Sequence, residues 1–518
     1  MLKLCRLYFV LAPWLIASRI AGAADPPAIS FEITLSRAAA VQPVHGRLVL
    51  YLSTKLEGQP RLERVGGAGR FLLACQVDEL KPGEPLSLHD LVGHPRGLAE
   101  IPPDRYLVQA VLHTRVDLPH SGNASDSLYS KPAVALLSKT APSRVSLLLD
   151  QRIPAAEHGL TARAMEIVEL RSESLSRFYG RDTMLRAAVI VPEEYASQTD
   201  RRFPAIYLIP GFGGDHMEGA MYADMLGTPK VPFVRVCLDP TCPLGHNVFA
   251  DSDNNGPCGR ALVEELIPYL EKRFRLISEP YARLLTGHSS GGWSSLWLQI
   301  SYPDYFGGVW ATSPDSVDFH DFCGIDLYDP AVNFFKDAQG KRRPIMRRGN
   351  KVMLYLDDFC GNEEVIGPGG QMNSFEAVFG PRGPDGRPAR LWDRASGRID
   401  PAVVDAWRRY DIVDKLRREW STLGQKLGGK ITVIMGDEDN FYLEGATKLL
   451  KKALDELGSD ARVFIETRRD HRTIMFTEPF RRMLAEMGER FLAKHDTVGG
   501  GALPTSGPSS PSMKPAGG

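Results

Sequence analysis

Between residues 160 and 495, apolar runs of strand length alternate with stretches of helical spacing. This alternation restricts the fold more than any other feature of the chain. It predicts a mostly parallel sheet, buried on both faces by helices. Strands are expected at 184–192, 204–209, 231–238, 283–286, 307–312, 430–435 and 462–465. Helices are expected at 261–273, 290–300, 443–457 and 480–493. The segment 316–428 interrupts the pattern with Pro/Gly-rich pieces around Gly367 to Gly370 and Gly380 to Pro384, and with a helical piece at 401–423. An insertion of this length predicts a cap beside a site.

Upstream, residues 25–150 read as a small all-β, sandwich-like domain. Short apolar runs at 29–35, 46–52, 71–77 and 106–114 are separated by turn signals such as Lys81-Pro82-Gly83 and Ile101-Pro102-Pro103-Asp104. The polar stretch 115–142 reads as a linker. Residues 1–23 read as a signal peptide: Lys3 and Arg6, an apolar run from Leu7 to Ala17, then Ala21-Gly22-Ala23. That run is too short to cross about 30 Å of hydrocarbon, and no later stretch is long and apolar enough to do so. The expectation is a secreted or periplasmic protein with no membrane span in the mature chain. Residues 497–518 read as a disordered tail, being rich in Gly, Ser and Pro.

Charge narrows the partners. Lys and Arg number 62 against 63 Asp and Glu, so no field draws in a polyanion and nucleic acid is excluded as a partner. Once Cys5 leaves with the signal, Cys75, Cys237, Cys242, Cys258, Cys323 and Cys360 remain, without a Cys-x-x-Cys pair that would hold zinc or run redox chemistry. Export permits disulfides, and the loop-like settings of Cys242 with Cys258 and Cys323 with Cys360 make these the expected bridges. Cys75 and Cys237 are expected as buried thiols.

The chemistry concentrates at Gly287-His288-Ser289-Ser290-Gly291-Gly292, between an expected strand and an expected helix. This is the strand–turn–helix setting of the G-x-S-x-G elbow, which holds a serine out of the backbone where a base can reach it. Ser290 at the helix start offers its amide to developing negative charge. A second donor is expected after an earlier strand, at Pro210-Gly211-Phe212-Gly213-Gly214, with Phe212 first and Gly213 next. The base must follow the nucleophile. Of His320, His471 and His495, only His471 follows an expected strand through a short loop. The acid is expected after strand 430–435, in Gly436-Asp437-Glu438-Asp439, with Asp439 preferred and Asp437 second. Asp357 and Asp358 fit a surface-charge role better.

Together these residues resemble the putative-esterase family of α/β hydrolases, over roughly residues 165–495. That family includes S-formylglutathione hydrolase, feruloyl and acetylxylan esterases, enterochelin esterase-like enzymes and mycolyltransferases. Gly287 to Gly292 matches its nucleophile motif, with Ser290 where methionine is frequent. Pro210-Gly211-Phe212 stands where many members have His-Gly-Leu. The resemblance implies an α/β-hydrolase fold and ester hydrolysis through an acyl-enzyme, with no metal or cofactor. It also puts the loop of His246, Asp251 and Asn255 beside the pocket as substrate contacts. Asp251 to Gly256 mimics half of a calcium loop, but its twelfth position is Leu262, which has no carboxylate to give. Trp293 and Trp297, four apart on one helix, are expected in the core. The expected substrate is a small-molecule or carbohydrate ester, with an acylated polysaccharide in view. The alternatives are a periplasmic siderophore esterase, an acyltransferase, and a catalytically silent binding protein on the same scaffold.

Overall fold

The computed structural model describes residues 29–63, 69–88, 91–115, 124, 126–154 and 165–497. The expected signal peptide and all but the first residue of the expected tail lie outside the described residues.

The N-terminal region is one sheet of nine strands among the described residues, antiparallel except where Ile29–Leu35 runs parallel to Ser143–Arg152. Pro85–Leu88 lies at one edge of the sheet, and Arg70–Leu80 sits six steps along it. Six steps of about 4.8 Å would separate them by about 29 Å in a flat sheet. Residues 81–84, which join them, reach only about 17 Å. The sheet therefore curls back on itself and encloses a core of Phe31, Ile33, Leu50, Leu73, Val108 and Leu147. The stretch expected as a linker carries Leu128–Ser130 and Ala133–Leu137, both paired into this sheet. Leu128–Ser130 has only three residues, and Ala133–Leu137, although apolar throughout, is short and leaves Val134 and Leu136 facing solvent.

Leu48 to Leu52 is unbroken apolar because both faces of that strand are covered. Leu48, Leu50 and Leu52 point into the curled core. Val49 and Tyr51 pack with Val365, from the helix Leu356–Ile366 of the insertion. Arg47 adds two hydrogen bonds to the Val365 carbonyl, from Nε at 3.2 Å and Nη2 at 2.7 Å. The N-terminal sheet thus braces the insertion.

The second sheet has eight strands in the order Met165–Arg171, Met184–Ile190, Val234–Leu238, Ala205–Ile209, Arg283–His288, Gly308–Thr312, Ile431–Gly436, Arg462–Glu466. The first two and their junction with Val234–Leu238 are antiparallel, and the rest are parallel. This is the α/β-hydrolase fold, preceded by the antiparallel β-domain. Met165–Arg171 has no counterpart among the expected strands. It is an edge strand, and its Glu166 and Glu169 pair with Arg273 and Arg186. The chain passes from Ala205–Ile209 outward to Val234–Leu238, then returns past it to Arg283–His288. Strand order reverses between Ala205–Ile209 and Arg283–His288, and in such sheets the ligand crevice opens beyond the carboxyl ends at that point. Pro210-Gly211-Phe212 and Ser289 are the residues found there.

Gly308–Thr312 and Ile431–Gly436 are parallel neighbours, which requires a crossover, usually helical. Ile412–Leu427 serves as that crossover and packs on Ser290–Ser301. It therefore belongs to the helix layer, and the added material ends before it. The helical piece expected at 401–423 is two helices, Pro401–Trp407 and Ile412–Leu427, because Asp411 caps the second by accepting from the Asp414 amide. Trp293 and Trp297 stack in the core at 5.3 Å and 11°. All six cysteines are free thiols, so neither expected bridge forms. Cys258 opens a helix and its thiol donates to the Asn255 carbonyl, while Cys323 lies against Ser316 and Cys360 is buried in the helix Leu356–Ile366. Among the described residues no helix is long and apolar enough to cross a membrane.

Candidate active site

Ser289 links Arg283–His288 to the helix Ser290–Ser301 with φ 58° and ψ −124°. A non-glycine residue there costs roughly 1–3 kcal/mol and persists only when its surroundings enforce it. The Ser289 amide donates to the Thr312 carbonyl at 3.0 Å, and its carbonyl accepts from the amides of Trp293 and Asp315. A Cβ on Gly287 would fall 2.2 Å from the Gly291 carbonyl oxygen, and one on Gly291 would fall 2.0 Å from that of Ile209. Only glycine fits either place, so the strained serine is held by close backbone packing on both sides.

His471 and Asp439 come together as expected. His471 Nδ1 lies 2.7 Å from Asp439 Oδ2, and Asp439 is fully buried. The other Asp439 oxygen accepts from the Phe441 amide at 2.8 Å. The two loops are laced together: the amides of Asp437 and Glu438 donate to the carbonyls of Glu466 and Arg469. A Cβ on Gly436 would meet the Arg469 oxygen at 2.2 Å, which explains the glycine that opens the acid loop. Asp437 instead accepts from the Arg468 amide at 2.6 Å and holds the base loop. Burial disfavours the imidazolium of His471, but the charge and hydrogen bond of Asp439 outweigh it, and the pKa stands above its ordinary 6.5. Phe441 packs edge-on against the ring at 5.0 Å.

A residue not anticipated from the sequence completes the group. Asp315 is buried beside the serine. Its Oδ1 accepts from Ser289 Oγ at 3.4 Å, and its Oδ2 from Ser290 Oγ at 2.5 Å. Burial pushes its pKa up to about 6, against the pull of Ser290, His471 and Ser289. A carboxyl just past the carboxyl end of the strand next to Arg283–His288 was the signal that could have found it. His288 stands with its ring 4.5 Å from that of His471. Desolvation first, then the positive neighbours His471 and Arg472, hold it well below its ordinary value, so it stays neutral.

The loop after Ala205–Ile209 passes over the serine. A Cβ on Gly211 would lie 3.3 Å from that of Ser289, and Phe212 lines the same cavity. Gly213 follows at φ 83°, and the Ser290 amide opens the helix beneath. His246 keeps this loop in place. Its Nδ1 accepts from the Val248 amide, so Nε2 carries the proton and donates to the Pro210 carbonyl at 3.2 Å. Burial pushes its pKa down to about 4. His246 thus braces the loop, where substrate contact was expected. Asp251 holds Arg260 through its side chain and amide, and Asn255 is fully buried. None of the three lines the cavity at Ser289.

Residues 244–462 match the profile of the family described as Putative esterase. The chain is similar in structure to an S-formylglutathione hydrolase from Agrobacterium tumefaciens, at 16% identity and a TM-score of 0.38, covering 63% of this chain and 95% of that one. It is similar to the S-formylglutathione hydrolase of Staphylococcus aureus at 14% identity and a TM-score of 0.37, covering 63% and 99%. A ferulic acid esterase from Anaeromyces mucronatus in complex with ferulic acid matches at 13% identity and a TM-score of 0.31, covering 64% and 92%. Ser289 and Asp439 lie inside the matched span, whereas His471 falls just beyond its end.

Proposed function

We propose that the protein is a serine esterase that cleaves carboxylic esters through an acyl-enzyme on Ser289. The observation that carries this reading is the buried Asp439–His471 pair in the same cavity as a serine held at positive φ. Asp439 occupies Nδ1, which leaves Nε2 as the basic nitrogen. Ser289 Oγ attacks the ester carbonyl carbon while Nε2 takes its proton. The amides of Phe212 and Ser290, with Gly213 beside them, receive the oxyanion. The carbonyl re-forms as the C–O bond to the alcohol breaks, and the imidazolium returns its proton to the departing alkoxide. Water then repeats the sequence and frees the acid. Export to the periplasm or medium is part of the same proposal and rests on the leader pattern of residues 1–23.

The test is covalent. A fluorophosphonate probe is expected to label the protein once, on the peptide containing Ser289, and Ser289→Ala is expected to take no label. Labelling at another residue, or none with the folded wild type, would refute the assignment.

The acid limb of kcat/KM carries a second expectation. Nε2 accepts a proton only when neutral, so activity falls as pH drops through the His471 pKa, with a midpoint above 6.5. Below 6.5 the charged imidazolium stabilises the fold through Asp439, and this contribution is lost as pH rises through the same elevated pKa. Asp315 also favours the imidazolium. Asp315→Asn is therefore expected to move the limb to lower pH by up to about one unit, read from a pH–rate profile.

A further inference from the structure

The cavity at Ser289 has a volume of about 770 Å³, within the range of sites that enclose a whole ligand. Its polar groups are few. Ser289, His288, His471, Asp315 and Ser316 gather at the reacting end, Tyr222 adds one hydroxyl-bearing ring to the wall, and Glu218, Gln371 and Arg472 are reached by solvent. The remaining wall is apolar, and much of it comes from the insertion. Phe322, Ile345, Leu354, Met372 and Phe375 are all buried there, and Met346 lies beside them. At the solvent side, Met221, Met225 and Phe476 line the same cavity although they are 54%, 51% and 60% exposed.

We infer that this cavity binds the aliphatic acyl chain of a lipophilic ester, from medium length upward. The inference rests on the serine-esterase reading and names its substrate class. A hydroxylated aromatic acid or a sugar in the buried half would lose its hydrogen bonds to water and find no partner on Ile345, Leu354, Met372 or Phe375. An alkyl chain pays no such penalty. Methionine suits it as well, because an unbranched thioether side chain repacks around a flexible ligand. The exposed apolar residues at the mouth then have a use, since a chain longer than the buried part continues over them. The insertion, braced from behind by the N-terminal sheet, supplies the wall that gives the enzyme its chain-length preference.

The experiment is a series of 4-nitrophenyl esters from acetate to hexadecanoate, with kcat/KM measured below the critical micelle concentration of each. Each buried methylene is worth a factor of about four. The ratio of decanoate to acetate is expected to exceed ten. Met372→Trp and Met346→Trp, which fill the buried half, are expected to lower that ratio at least tenfold, with thermal unfolding confirming that each is folded. If one variant does not fold, the other carries the test. Inactivation rates by alkylphosphonofluoridates of increasing chain length give a second measure on the wild type, and are expected to rise in parallel. A flat or falling profile in an enzyme that turns over acetate overturns the chain-binding inference and leaves the serine-esterase reading standing. No turnover of any ester, with no phosphonate labelling of Ser289, overturns both.

Discussion

Ser289→Ala is expected to lower kcat toward an aryl ester by about 10⁴–10⁶, with KM changed little. The variant keeps the oxyanion amides and the cavity wall, so substrate still binds and the carbonyl is still polarised. What vanishes is the covalent path, and attack must then come from water that no group has positioned. The loss corresponds to about 5.5–8 kcal/mol of barrier. The substitution removes one oxygen whose hydrogen bond to Asp315 is long, at 3.4 Å. It leaves the positive φ in place, so stability is expected to stay within about 1 kcal/mol of the parent. Stopped assays and thermal unfolding of the same preparation separate the two effects. A variant that retained a tenth of the activity would end the proposed mechanism.

Asp439→Asn is expected to cost about 10⁴ in kcat. The carboxylate accepts from both His471 Nδ1 and the Phe441 amide. An amide at this position can keep the second bond only by turning its oxygen to Phe441, which presents NH2 to Nδ1. The imidazole then carries its proton on Nε2 and cannot accept one from Ser289. Loss of the negative charge also removes the main support for the elevated pKa, so the remaining activity should titrate at lower pH than in the parent. A pH–rate profile of the variant reads both consequences. By contrast, Asp437 acts on the Arg468 amide, away from the imidazole.

Asp315 makes the serine's surroundings unusual. Its two oxygens receive the hydroxyls of Ser289 and Ser290, so the proposed nucleophile is turned toward a carboxyl group with a pKa of about 6. In the proposed mechanism the Ser289 hydroxyl has to rotate away from Asp315 before its proton passes to His471. Protonation of Asp315 as pH falls through 6 removes the acceptor's charge while also leaving His471 charged, so both changes act in the acid range.

Local pattern was enough for the residues whose roles depend on their own element. The glycines flanking Ser289, the strand before it and the helix after it are contiguous in sequence, and backbone sterics alone demand them. The Gly-x-x-Asp loop and the Asp470-His471 step follow strands whose apolar runs are plain, so the Asp439–His471 pair could be named from chain order. Asp315 was not, because its place just past the end of Gly308–Thr312 becomes a signal only once that strand is known to lie beside Arg283–His288. The misreading of His246 has the same origin. The resemblance puts it in contact with substrate, whereas its ring is buried under Pro210, thirty-six residues earlier. The two expected disulfides failed for a related reason, since loop-like sequence says nothing of how two thiols point.

Periodicity and short-range sterics were thus sufficient for most of the parallel strands and the helices between them, the strained turn at Ser289 and the pairing of Asp439 with His471. The curl of the N-terminal sheet, its support of the insertion, the carboxyl beside the nucleophile and the apolar lining of the cavity arose only on folding. Each of these joins segments far apart in the chain, and their contacts depend on sheet pairing and close packing, which no local run of residues encodes.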